Sequence, residues 1–324
     1  MPTTLDPDPF SPDAIAPETA ALNARLIDAF TRLPDRWAHP VALVREARAA
    51  GRGPIPPLPV SPRARTIVLD ERPARGRPGA LAARLIAPSR PRGIYFHIHG
   101  GGWTFGSNAE QDPWLERLAD RLDLACVSVA YRLAPEHPYP AAPDDCEDAA
   151  LALVARAGEL VGLSGPLFIG GESAGAHLAL TTLLRLRDRH GLMPFVAANL
   201  FCGCYDLALT PSVRRWGRTP LVLDTRDIAK FAENYLGGHD PREPDVSPIH
   251  ADLAGLPPIL VSCGTKDPLL DDSLFLAARL RAARVPHDVA LWPGGCHVFH
   301  RFDIPMTEDA LARIDAFLAA RLAK

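Results

Sequence analysis

Gly170-Gly171-Glu172-Ser173-Ala174-Gly175-Ala176 follows the apolar run Pro166-Leu167-Phe168-Ile169 and leads into Ala176-His177-Leu178-Ala179-Leu180. The first run reads as a buried strand and the last as a helix, so Ser173 sits on the turn between them. Gly171 and Gly175 flank it two residues away on each side, which makes the stretch G-x-S-x-G in a strand-turn-helix setting. So sharp a turn strains the serine backbone, and side chains at the flanking positions would clash with the strand and helix; glycine removes those clashes. The hydroxyl is then expected above the sheet edge, beside a helix N-terminus whose N–H groups face any anion formed there. Taken alone, the motif is also satisfied by any small-residue turn of an α/β protein, so the rest of the chain has to supply a base, an acid and an anion site.

Working outward toward the N-terminus, Gly93-Ile94-Tyr95-Phe96-His97-Ile98 reads as a strand that runs into His99-Gly100-Gly101-Gly102-Trp103. Three consecutive glycines carry a high chain-entropy cost. They suit a loop whose backbone N–H groups must approach an oxygen with no side chain in the way, the H-G-G-G oxyanion loop that pairs with G-x-S-x-G. Before it, Thr66–Leu69 and Leu81–Ile86 read as an antiparallel hairpin around a turn-rich stretch, Arg72 to Gly79. Apolar residues at helical spacing predict helices over Pro17–Leu33 and Val41–Ala50, followed by a proline-rich extended linker, Gly51 to Pro62. Beyond the hairpin, Asp112–Leu122 reads as a helix and Leu124–Val129 as a buried strand.

Toward the C-terminus, Val196–Phe201, Pro258–Cys263 and His287–Leu291 read as further strands. Helices are expected at Ile228–Leu236, Ser273–Ala283 and Thr307–Leu322. Residues 205–241 break the strand-helix alternation. An insertion there lies over the C-terminal strand edge and, with the N-terminal helices, can form a cap. The organisation expected is cap helices over residues 1–55 and a catalytic domain over 56–324 carrying the insertion. Helix starts in this reading use Asp144 and Asp145, and later Asp271 and Asp272, as first-turn acids favoured by the dipole.

Tyr131-Arg132-Leu133-Ala134-Pro135-Glu136-His137-Pro138-Tyr139-Pro140 continues into AAPDD. HGGGW, YRLAPEHPYPAAPDD and GESAG, then SPIHADLAGLPPILVSCGTKDPLLDDS and GGCHVF, together resemble the hormone-sensitive-lipase family of esterases within the α/β-hydrolase fold. The resemblance covers most residues from about 90 onward. It implies a mostly parallel sheet flanked by helices, a helical cap that walls the pocket, and hydrolysis of short to medium acyl esters. It also implies that Tyr131–Pro140 is structural, bracing strands near the oxyanion loop.

Chain order in this fold is serine, acid, histidine, each just past a strand's C-terminal end. Of eleven histidines, only His297 and His300 follow the last strand. His297 lies on the glycine loop and within the GGCHVF motif, so it is the expected base. Asp267 follows the strand ending at Cys263 and heads the family's Asp-Pro-Leu pattern, so it is the expected acid. Glu172 is too close in sequence to Ser173 to reach the far nitrogen of His297 and reads as structural support. The oxyanion donors expected are the N–H groups of Gly101, Gly102 and Ala174, with Trp103 and Phe105 as pocket candidates that would serve equally as core. Trp103 after the glycines also resembles arylformamidases, which keeps N-formyl aromatic amides as an alternative substrate. A non-catalytic ligand receptor of the same fold typically lacks a triad residue, whereas all three are in this chain.

The totals narrow the partners. The 324 residues are 47% apolar, with a formal net charge of -3 and arginines scattered among acids. That pattern does not suggest nucleic acid or an anionic membrane as partner. The six cysteines have no regular spacing and read as buried free thiols. Cys202-Gly203-Cys204 has no second Cys or His pair beside it, so neither metal nor organic cofactor is expected. No secretory pattern opens the N-terminal stretch and no apolar run approaches spanning length, giving the expectation of a cytoplasmic protein. A homodimer is compatible with a sequence that carries no oligomer signal of its own.

Overall fold

The computed structural model describes residues 8–53, 55, 57–71 and 75–322. Residues 72–74 of the expected hairpin turn lie outside them, as do residues 54 and 56, which adjoin the expected domain boundary. Eight strands form one sheet in the order β1-β2-β4-β3-β5-β6-β7-β8. They are β1 (Arg65–Asp70), β2 (Leu81–Ile86), β3 (Gly93–Ile98), β4 (Leu124–Val129), β5 (Leu167–Glu172), β6 (Phe195–Phe201), β7 (Ile259–Lys266) and β8 (His287–Cys296). β1 pairs antiparallel with β2, and β2 antiparallel with β4; every later pairing is parallel. β3, β4 and β5 are buried at every position, as expected for strands covered on both faces. This is the α/β-hydrolase fold, a mostly parallel sheet with helices on its faces.

The helices are α1 (Pro17–Thr31), α2 (Val41–Ala49), α3 (Asp112–Leu122), α4 (Ala141–Val161), α5 (Ala174–His190), α6 (Pro211–Trp216), α7 (Thr225–Leu236), α8 (Leu270–Ala282) and α9 (Pro305–Leu322). α5 leaves the elbow and is buried from Ala174 to Leu186, so it is the central helix packed on the sheet. None of the described helices is long and apolar enough to cross a membrane.

Two strands run further than their apolar runs suggest. β7 continues through Gly264-Thr265 to Lys266, and β8 through Pro293-Gly294-Gly295 to Cys296, with a register shift between Gly264 and Lys266. A Cβ on Gly264 would sit 2.0 Å from the Gly295 carbonyl oxygen, so the glycines let the two strand ends close on each other. Residues 205–241 hold α6 as well as α7, and α7 starts at Thr225, earlier than the apolar spacing indicates. Its start is fixed by a capping box in which Asp224 and Asp227 each accept the other's backbone N–H.

Asp144 lies in the first turn of α4 and Asp271 and Asp272 in that of α8, as expected, but their carboxylates bond to other elements rather than capping their own helices. α4 begins at Ala141, with Pro140 at its N-cap, so Asp145 lies too deep to cap it. Instead its carboxylate accepts from the Arg132 N–H at 2.9 Å and from the Arg132 and Arg77 guanidinium groups at 2.8 Å each, tying the loop after β4 to α4. Asp144 accepts from Arg185 at 2.8 Å. Asp272 likewise does not cap α8: it is buried and accepts the Tyr205 and Asp206 N–H groups at 2.6 and 2.9 Å and the Thr210 hydroxyl at 2.7 Å. Asp271 accepts the Ser212 N–H at 2.7 Å. Both acids therefore anchor the start of the insertion onto α8, a long-range role no local pattern announces.

Candidate active site

Each of four adjacent strands ends immediately before a residue with reactive chemistry. Ser173 follows β5, Cys202 follows β6, Asp267 follows β7 and His297 follows β8. The register puts Glu172 opposite Phe201 and Lys266 opposite Cys296. The residues one step on, Ser173 with Cys202 and Asp267 with His297, are thus delivered side by side along one sheet edge.

The three residues expected to act together are in hydrogen-bond reach. His297 Nε2 lies 2.9 Å from the Ser173 hydroxyl oxygen, and His297 Nδ1 lies 2.9 Å from Asp267 Oδ2. The other Asp267 oxygen accepts the Leu269 N–H at 2.9 Å, which fixes the carboxylate plane. All three side chains are buried. Burial works against a charged imidazole, but the Asp267 carboxylate, with Cys202 behind it, outweighs it and holds His297 well above the ordinary 6.5. His300 has a different environment. It packs edge-on to Phe201 with ring centroids 4.4 Å apart, and burial lowers its pKa to about 4.

Ser173 adopts φ 56° and ψ -123°, the strained backbone that the elbow requires. The flanking glycines answer to a third partner besides their own strand and helix. A Cβ on Gly171 would meet the Ile98 carbonyl oxygen at 2.2 Å, and one on Gly175 would meet the same oxygen at 2.0 Å. Ile98 ends β3, so both glycines allow the elbow to press against the start of the glycine loop. Glu172 locks that contact. Its carboxylate accepts the Gly100 N–H at 2.7 Å and the Gln111 amide at 3.0 Å, and it lies 3.0 Å from His97 Nε2. Burial pushes Glu172 up, but the His97 imidazole and these partners reverse that and hold it at about 2. Tyr131 donates to the His99 carbonyl at 2.8 Å and stacks on its ring at 4.2 Å, and the Ala134 N–H donates to the Trp103 carbonyl at 2.9 Å.

The N–H groups of Gly101, Gly102 and Ala174 donate to no other group among the described residues. Ala174 is the first residue of α5, where a helix has N–H groups to spare. Gly101 and Gly102 have φ 114° and 60°. Gly101 accepts from the Phe105 N–H at 2.8 Å, which curls the loop back on itself.

A cavity of about 1060 Å³ opens over this edge. Ser173, His297, Trp103 and Phe105 line it, together with Trp37 and Phe231. Trp103 is committed to packing as well: its indole stacks on Tyr235 at 4.6 Å and donates to His177 Nδ1 at 3.2 Å. Phe105 sits against Phe231 at 5.6 Å and Trp37 at 6.0 Å. Trp37, from the N-terminal segment, also donates to Asp227 of α7 at 2.7 Å. Trp37, on a short turn between α1 and α2, and Phe231, a single aromatic in the α7 pattern, carry no signal in the sequence that marks them as lining a pocket. The nearness of Cys202 to His297 is likewise not legible in the sequence, because that contact exists only once β6 and β8 are registered through β7. Among the described residues, Cys202, Asp267 and His297 form a group whose donor atoms all lie within 4.8 Å of one another.

Residues 95–301 match the family model described as an alpha/beta hydrolase fold. Over 244 residues the chain is 34% identical to an acetyl-hydrolase of Streptomyces hygroscopicus, covering 74% of this chain and 80% of the relative. Over 248 residues it is 36% identical to the esterase LipI of Mycobacterium tuberculosis, covering 72% and 75%. Among solved structures, a hormone-sensitive lipase from a metagenome library superposes with TM-score 0.81 at 26% identity, over 94% of this chain and 98% of that one. A hyperthermophilic esterase from Pyrobaculum calidifontis does so with TM-score 0.81 at 29% identity, over 97% and 99%.

Proposed function

Because the chain belongs to the hormone-sensitive-lipase family of carboxylesterases with the α/β-hydrolase fold, we propose that it cleaves esters through an acyl-enzyme on Ser173. The observation that carries this reading is the unbroken relay from Ser173 through His297 to Asp267, with both contacts at 2.9 Å. His297 Nε2 takes the hydroxyl proton as Ser173 attacks the ester carbonyl. Asp267 keeps the remaining proton on Nδ1 and stabilises the imidazolium. The oxyanion is received by the N–H groups of Gly101, Gly102 and Ala174, each worth on the order of 3 kcal/mol in the transition state. His297 then protonates the leaving alcohol, and water repeats the cycle on the acyl-enzyme. None of these steps routes through a metal or organic cofactor.

In this reading the N-terminal helices and residues 205–241 act as one cap over the catalytic domain. A cavity of about 1060 Å³ is at the upper end for small-molecule sites and suits medium as well as short acyl chains. An ester panel of increasing acyl length, run beside N-formylkynurenine, tests the substrate class. Turnover of the esters is expected, with the formamide poor; strong formamide turnover with inert esters would replace the ester reading. Ser173→Ala is expected to lower kcat by roughly 10⁶-fold. Full activity in that variant would remove Ser173 from its role.

A further inference from the structure

Of the four residues that β5 to β8 deliver to one edge, the reaction uses three. Cys202 is left over. It is buried, its backbone has φ 41°, and its N–H donates to the Ser262 carbonyl at 2.7 Å, so its position is fixed by β7. Its sulfur, a carboxylate oxygen of Asp267 and a ring nitrogen of His297 lie mutually within 4.8 Å. Thiolate, imidazole and carboxylate are the donor set of tetrahedral zinc, with metal–ligand distances of about 2.0–2.3 Å. Donors around such an ion stand roughly 3–4 Å apart, so small side-chain rotations close the site. His297 also lines the open cavity, which gives an ion its approach.

We propose that Cys202, Asp267 and His297 form an inhibitory site for a thiophilic divalent cation of the zinc class. Charge favours it. One thiolate and one carboxylate neutralise a divalent ion in a buried site, whereas without the thiolate a net positive charge would remain there, at high desolvation cost. The proton balance explains the inhibition. The ion displaces the thiol proton to solvent and binds His297 Nδ1, whose proton shifts to Nε2. A neutral imidazole bound in this way carries its proton on Nε2. Nε2 then faces the Ser173 hydroxyl as a donor and cannot accept its proton. The ion blocks the base without occupying the substrate cavity.

The location of the site rests on geometry alone, while its inhibitory effect rests on the Ser173–His297 reading above. Two readouts separate them. Metal-free full-length protein is titrated with Zn²⁺ while ester turnover is followed, with chelator added back at the end. In parallel it is titrated with Co²⁺, and the thiolate-to-cobalt charge-transfer absorption is recorded. The expected result is chelator-reversible inhibition and a charge-transfer band. Cys202→Ser and Cys202→Ala, each measured against its own metal-free rate, should weaken inhibition by at least about tenfold, since even outer-shell partners cost that much; both should lose the band. Equal Zn²⁺ sensitivity in the unaltered protein and both variants, or no band in the unaltered protein, would overturn the proposal. The cobalt band requires no variant, so the test stands if neither replacement folds. A band in a protein that turns over no ester would leave the site standing and sink the catalytic reading.

Discussion

His297 shows how burial and charge compete at a single side chain. An imidazole this buried would ordinarily lose its proton easily, yet the Asp267 carboxylate at 2.9 Å outweighs burial and raises its pKa well above 6.5. In the proposed mechanism His297 must be neutral to accept the Ser173 proton, so activity should fall as pH drops below that pKa and rise as pH passes upward through it. The kcat/KM profile of the free enzyme should therefore rise to a plateau with an apparent pKa above 6.5, the ordinary value. Asp267→Asn removes the opposing charge and leaves burial in place. It should move that limb to lower pH and reduce kcat by about 10⁴-fold, because the amide no longer holds the correct tautomer. A limb unmoved by Asp267→Asn would mean that another group titrates. At this scale the sequence was most informative: Ser173 and His297 lie in recognisable glycine contexts, and Asp267 in the Asp-Pro-Leu pattern. The pairing of Glu172 with Gly100, Gln111 and His97 was not readable, because it joins β5 to three separate segments.

Among elements, the decisive event is that β5, β7 and β8 stop at residues that bring Ser173, Asp267 and His297 to one edge. The apolar runs 258–263 and 287–291 mark these strands but end before the glycine-rich extensions that continue pairing to Lys266 and Cys296. Glycine in a strand is disfavoured by propensity, so those extensions look like loop until the close approach of Gly264 to Gly295 is seen. The glycine loop after β3 is the second determinant. A Cβ on Gly102 would lie 2.3 Å from the Phe231 ring at a backbone φ of 60°. Gly102→Ala should push the loop away from α7 and misplace its N–H. Pre-steady-state measurement of acylation should show a loss of about 10²–10³-fold, the cost of one oxyanion donor. Unchanged acylation would exclude Gly102 as a donor. The same scale explains the first-turn acids: Asp145 and Asp272 have the composition of caps but serve as tethers between elements, which depends on partners 13 to 68 residues away.

For the whole molecule, the N-terminal helices are joined to the site edge at several points. Asn23 of α1 donates to the Gly294 carbonyl at 2.8 Å, next to the strand end that carries His297. Arg45 of α2 donates to the Thr104 and Ala134 carbonyls at 2.8 and 2.7 Å. Trp37 bridges to Asp227 and Phe231 of the insertion. These contacts are not legible in the sequence, since helical spacing marks a buried stripe without naming what covers it. Trp37→Ala should loosen the cavity wall and lower kcat/KM about two- to tenfold for medium acyl esters, the equivalent of ~0.5–1.5 kcal/mol for an aromatic contact. Acetyl esters, which need less of the wall, should change little; an equal loss across the acyl series would argue against a wall role. All of this presupposes that the molecule turns over esters through a covalent serine intermediate. The most direct test is to quench the protein rapidly during turnover of an activated ester and map the acyl group by peptide mass. One acyl group per chain is expected, on Ser173. Steady turnover with no adduct, or with the acyl group on Cys202 or any other residue, would contradict it.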